Sequence, residues 1–208
     1  ILTHTRHSEK VFNMMRLLLI LILTFSFQTL IKADDIKDFQ IEGMSIGDSA
    51  LDFFSKEQIK KNSKNYFKNK KYTPVQNDQL SFFKTYDAVD FAFKTNDKKY
   101  TIQSIAGVLF YDKNVKDCYK KMDKIIAEMD ELFPNQKKKP KSTYKHGNKI
   151  KNKSGKSIIT EVEYQFKNGD SVTISCYDYS IEHGSQDHLS VAIDTKAYAD
   201  FLFNKAYK

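Results

Sequence analysis

Apolar residues along this chain change their spacing several times, and each change marks an element. From Asp87 to Phe110 they alternate: Val89, Phe91 and Phe93 fall on one side of an extended chain and Asp90 and Lys94 on the other, a polar stretch runs from Thr95 to Lys98, and Tyr100–Phe110 is apolar again. Period-two spacing around a polar turn predicts a β-hairpin, with Gly107 read as a bulge in its second strand. The period then lengthens. Val115, Cys118, Met122, Ile125, Met129 and Leu132, with Tyr119, Ile126 and Phe133 beside them, recur at three and four residues and form one stripe of a helix, with Asn114 at the N-cap and Pro134 closing it. Alternation returns in Ile159–Lys167, where Thr160, Val162, Tyr164 and Phe166 oppose Glu161, Glu163 and Gln165. Asn168-Gly169 supplies a tight hairpin turn, Val172, Ile174 and Cys176 continue the apolar side, and Leu189–Ile193 leads through Asp194-Thr195 into a terminal helix bearing Tyr198, Phe201 and Leu202.

Ahead of the hairpin, residues 34–77 read as a lead-in of short helices. Ser55-Lys56-Glu57-Gln58 has the spacing of a capping box, and the glycine-punctuated turn Gly43–Asp48 opens onto Ala50, Leu51, Phe53 and Phe54, an apolar set that should dock on the body. The order is ββαβββα. Strands that bury one side and wet the other predict an α+β two-layer sandwich, with a mostly antiparallel sheet of about five strands packed by one long and one C-terminal helix. Residues 34–208 then form a single domain, with no internal repeat.

The first 33 residues have another character. Ile1–Asn13 precede the first methionines, Met14 and Met15, and read as an extension ahead of the natural start. Arg16, the apolar run from Leu17 and the small Ala33 before Asp34 then follow the three-part layout of a secretory signal peptide, cleaved between Ala33 and Asp34. The run ends near Ile31 and holds Gln28 and Thr29, short of the roughly 20 apolar residues of a spanning helix. An uncleaved N-terminal anchor is the alternative. The reading is a soluble periplasmic or secreted protein.

Charge changes meaning once the leader is set aside. The 208 residues carry 34 Lys+Arg against 26 Asp+Glu, net +8, but residues 1–33 hold both arginines, leaving the rest at +5. Lysine alone offers no planar fork for guanine or phosphate, which argues against nucleic acid as a partner. Nine lysines and no acid lie in Asn135–Lys156, and six lysines and no acid in Gln58–Asn77. Residues 135–157 read as a mobile Lys-rich loop. It is either simply solvated, in a chain rich in Lys, Asn, Ile, Phe and Tyr, or an electrostatic contact to an anionic envelope surface.

Candidate chemistry is sparse. Cys118 on the helix stripe and Cys176 on the apolar strand face should meet in one interface, giving a disulfide of the kind exported proteins keep; two separate buried thiols are the alternative. Asp178, Glu182, His183, Asp187 and His188 gather imidazoles and carboxylates in one loop, as weak metal or acid–base candidates of no recognised spacing. Glu161, Glu163, Thr173, Ser175, Tyr177 and Ser190 should share the wet side of the sheet, either as a ligand surface for a sugar or peptide or as an ordinary solvated face. Phosphate-loop, dinucleotide, nucleophile-elbow, zincin and C-x-x-C motifs are absent from the sequence. The expectation is a non-enzymatic binding or interaction module with no cofactor. The alternatives are a hydrolase or metal-dependent enzyme using the Asp178–His188 loop, and a structural envelope-associated protein.

The segment Asp35–Ile59, with Phe39-Gln40-Ile41-Glu42-Gly43-Met44-Ser45-Ile46-Gly47-Asp48 followed by Ser49–Phe54, resembles the opening of a group of small secreted proteins of marine alphaproteobacteria. The resemblance covers about the first quarter of the chain after the leader and implies envelope localisation without an activity. The Gly-Met-Ser turn before a helix is also similar to small outer-membrane assembly lipoproteins, but the lipid-accepting cysteine is absent here.

Overall fold

The computed structural model describes residues 35–208 apart from Gln79, Lys113 and 148–150. The expected leader and the Ala33–Asp34 cleavage point lie outside the described residues. The described residues from Asp35 onward form one compact unit.

Its frame is an antiparallel sheet of eight strands in the order β1-β2-β3-β8-β7-β6-β4, with β5 also paired to β6. The strands are β1 Tyr72–Asp78, β2 Ala88–Lys94, β3 Ile102–Phe110, β4 Lys137–Lys138, β5 Ser142–Lys145, β6 Ile158–Gln165, β7 Ser171–Asp178 and β8 His188–Asp194. Helices α1 (Lys56–Asn62), α2 (Val115–Leu132) and α3 (Lys196–Asn204) complete it. The mixed α/β class and the antiparallel sheet agree with the sequence; the strand number does not. The three strands the sequence missed are all edge pieces. β1 carries Pro74, which cannot donate to a ladder and so belongs on an edge, where its carbonyl accepts from Lys64 N at 2.8 Å. β4 and β5 come from the lysine-rich stretch read as a mobile loop. They pair with β6, and Lys138, Lys139 and Lys141 hold Asp130, Glu163 and Asp123 at 2.6–2.7 Å. Lysine on edge strands discourages further pairing.

One face of the sheet is closed by α2 and the lead-in. Cys118, Met122, Ile125 and Met129 of α2 pack on Val162, Val172, Ile174, Cys176, Leu189 and Val191, while Ile36, Ile41, Met44, Ala50 and Phe54 continue the same core over β1–β3. The lead-in is pinned by Glu42, whose carboxylate accepts from the amides of Lys84, Thr85 and Tyr86 at 2.6–2.9 Å. The capping box is complete: Gln58 N donates to Ser55 Oγ at 3.2 Å and Ser55 N to Gln58 Oε1 at 2.8 Å. Asn114 differs from expectation, since its side chain donates to Asp117 at 2.6 Å and caps no backbone amide. The bulge also lies elsewhere, at the register shift between Ala92/Phe93 and Ser104/Ile102. Gly107 instead lets the Tyr86 ring lie on the strand, since a Cβ there would come within 2.6 Å of that ring.

The terminal helix corrects the two-layer expectation. Tyr198 and Phe201 of α3 pack with Phe67, Tyr72, Ala92 and Ala206 in a second small core. By register Tyr72 and Ala92 point away from the α2 side, so α3 begins a third layer on the opposite face.

Candidate functional site

Cross-strand partners in an antiparallel sheet share a face, so the registers define the face that α2 does not cover. One row runs Gln76, Asp90, Ala106, Ala192, Thr173, Glu163; the next runs Ala88, Val108, Ser190, Ser175, Glu161. A third runs Phe110, His188, Tyr177, Ile159, Tyr144, and a fourth, under the start of α3, runs Ala92, Ser104, Asp194, Ser171. Glu161, Glu163, Thr173, Ser175, Tyr177 and Ser190 do stand together as the alternation predicted. Small residues make a low floor, and four carboxylates (Asp90, Asp194, Glu161, Glu163) rise from it.

Two of these carboxylates escaped the sequence reading. Burial pushes the carboxyl of Asp90 up to about 6, against a hydrogen bond from Gln76 Nε2 at 3.2 Å, with Asp78 adding to the rise and Lys64 opposing it. Burial likewise pushes Asp194 up to about 6; Ser104 lowers it and Glu163 raises it further. Both residues are half-buried, so they are under-solvated acids. Phenols surround them. Burial raises Tyr66, Tyr177 and Tyr198, Asp90 raises Tyr66 further, and Asp194 raises Tyr177 and Tyr198. Tyr144 Oη donates to Glu161 at 2.7 Å, and Glu163 is tied to Lys139. Asp90 left a weak trace in the sequence, as a lone acid between Val89 and Phe91 in a strand, and Asp194 as the acid that ends one.

At one end of the face, rings form two stacked pairs. Tyr177 lies on His188 with centroids 4.3 Å apart and Tyr179 on His183 at 4.2 Å, with His146 edge-on to His183 at 4.9 Å. His183 and His188 therefore each face a tyrosine. Asp187 is buried and accepts from Tyr179 N at 2.7 Å, its carbonyl accepts from Tyr111 N, and Glu182 accepts from Ser154 N at 2.7 Å. Asp178, at the end of β7, is pushed up by burial and by Asp187. These groups hold loops together. Among the described residues, no three His, Cys, Asp or Glu side chains are arranged to hold a metal ion, so the metal set His183, His188, Asp178 and Asp187 is not assembled.

Cys118 and Cys176 form a disulfide between α2 and β7, with Cα atoms 6.0 Å apart and neither residue exposed. No described helix is long and apolar enough to cross a membrane. No family model, curated protein or solved structure matches the chain.

Proposed function

We propose that this protein is an exported, non-enzymatic binding module that holds a cationic, amine-bearing ligand on the acid-lined face of its sheet. The observation that carries the reading is that Asp90 and Asp194, two half-buried carboxyls with pKa values pushed up to about 6 by burial, stand on the same face over a floor of alanine and serine, Asp90 beside Tyr66 and Asp194 beside Tyr177 and Tyr198. A bound ammonium supplies the counter-charge that burial withholds. The disulfide supports export, because such bonds persist in oxidising compartments. So does the resemblance of Asp35–Ile59 to small secreted proteins.

Isothermal titration with spermidine, and with maltose as a neutral control, tests the reading. Spermidine should bind and maltose should not. Each acid that must ionise weakens binding by up to about tenfold on going from pH 7 to pH 5, and Asp194→Asn should weaken it by on the order of tenfold at pH 7. Maltose binding, or spermidine binding indifferent to Asp90→Asn and Asp194→Asn, would overturn it.

A further inference from the structure

Lysine and exposed aromatic residues meet at one place on this surface. The segment 64–71 lies along the end of α3 and the residues after it: Asn69 N donates to Ala206 O at 3.2 Å, and the Phe67 ring meets Phe201 at 5.2 Å and Tyr207 at 5.6 Å. Phe67 and Phe201 are buried by this contact, but Phe203 turns outward and Tyr207 and Tyr66 keep about half of their surface in water. Phe203 is 84% exposed, Tyr207 60% and Tyr66 48%. Lys64, Lys68, Lys70, Lys71, Lys205 and Lys208 are exposed on the same two segments. None of the six takes part in an ion pair among the described residues, whereas Lys138, Lys139 and Lys141 of the other lysine-rich segment all do.

We infer that this basic aromatic patch, centred on Phe203 and the lysines of 64–71 and 205–208, docks the protein on an anionic lipid bilayer. Six exposed lysines on two adjoining segments, none in an ion pair although Lys70 Nζ donates to the Phe67 carbonyl at 2.7 Å and Lys71 Nζ lies over the Tyr72 ring, provide charge complementarity to a negative headgroup layer. Each lysine close to such a surface contributes on the order of fivefold in partition. Tyrosine and phenylalanine beside them have the amphipathic shape that settles at the headgroup level. An acidic protein partner would satisfy the lysines without needing an outward Phe203, and a second copy of the chain would face lysine with lysine.

A chain beginning at Ala33, which forms one compact unit with its own core and disulfide, is sedimented with phosphatidylcholine vesicles and with vesicles carrying about a quarter phosphatidylglycerol. It should partition to the second and not the first, and should be released as salt rises from about 0.1 M to about 1 M, where the Debye length falls from about 10 Å to about 3 Å. Phe203→Ser should weaken partition by on the order of tenfold, Lys68→Gln/Lys205→Gln by about 25-fold, and Lys139→Gln not at all. Equal binding to neutral vesicles, binding that survives the lysine changes, or loss with Lys139→Gln would overturn the proposal. So would no vesicle binding together with concentration-dependent dimerisation abolished by Phe203→Ser, which would assign the patch to self-association.

Discussion

Replacing both cysteines, Cys118→Ala/Cys176→Ala, should cost this protein about 4–5 kcal/mol. The bridge closes a loop with a sequence separation of 58. In the chain-entropy model, fixing a loop of that length removes about 14 cal/mol/K from the unfolded ensemble, or about 4 kcal/mol at 25 °C. Both residues are fully buried, so the missing sulfurs leave small voids between α2 and β7 that add up to about 1 kcal/mol. Against a typical stability of about 5–15 kcal/mol this is a large share, and at about 2–4 °C per kcal/mol for a chain of this size it lowers Tm by roughly 8–20 °C. Urea unfolding followed by circular dichroism on oxidised protein, the double variant and dithiothreitol-reduced protein reads it directly. The last two should lose stability together, with a steeper denaturant dependence because their unfolded chains are more expanded. A double variant within about 1 kcal/mol of the oxidised protein would refute the loop-entropy reasoning.

Three further outcomes follow from packing and titration. Asp194 has a folded pKa of about 6, above the unfolded value of about 4, so its favourable contribution is full below about pH 4 and is lost as pH rises through 6. Asp194→Asn should therefore stabilise by about 1–2 kcal/mol at pH 7.5 and change little at pH 4; equal destabilisation at both pH values in urea titrations would contradict this. Gly107→Ala places a Cβ within 2.6 Å of the Tyr86 ring and should destabilise by about 1–3 kcal/mol, a loss that Tyr86→Ala in the same chain should largely abolish in a double-mutant cycle. His183 is buried with neither ring nitrogen hydrogen-bonded, and burial, His146 and Lys151 hold its pKa below the usual imidazole value. Its contribution is present above about pH 6.5 and lost on acidification, so thermal melts of His183→Phe should be less pH-sensitive between pH 7 and 5 than those of the unaltered protein, and an unchanged sensitivity would count against a neutral buried imidazole.

The parts of the fold legible in the sequence were those written in local periodicity. The β2–β3 hairpin, the stripe of α2, the Asn168-Gly169 turn and the Ser55–Gln58 capping box each depend on residues within a few positions of one another. Even the disulfide could be placed, because both cysteines stood on faces whose period was already known. What stayed hidden depends on distant partners. β1, β4 and β5 owe their extended form to a neighbouring strand, and Pro74 and the lysines hide the strand pattern because edge strands tolerate both. Gly107 has a bulge's sequence but serves as the seat of a ring 21 positions earlier in the chain. The face opposite α2 was legible as Glu161, Glu163, Thr173, Ser175 and Tyr177, since alternation names a face, but not its wetness: Ser175 is buried and the others are only partly exposed. Asp90 and Asp194 were not legible, because their altered acidity arises only when segment 64–71 comes to lie beside Asp90 and Tyr198 of α3 beside Asp194.

That last dependence also explains why the face stays open where it does. A helix of nine residues, the length of α3, is about 14 Å long. Neighbouring strands lie about 4.8 Å apart, so a helix leaving the end of β8 and reaching β1 crosses about three spacings and then stops. It crosses β3 and β2 on the way, burying Ala92 and Tyr72 and bringing Tyr198 beside Asp194. β6 and β7 lie on the other side of β8, out of its reach, and on this face they carry Glu161, Glu163, Thr173, Ser175 and Tyr177. A longer helix turned the other way would have to strip water from those two glutamates, a cost of several kcal/mol per charge. With no helix, Asp194 would be solvated as an ordinary surface aspartate. The half-covered face thus follows from helix length and strand spacing, and it leaves Asp194 beside Tyr198 of the helix while Glu161 and Glu163 stand beyond its reach, held by Tyr144 and Lys139.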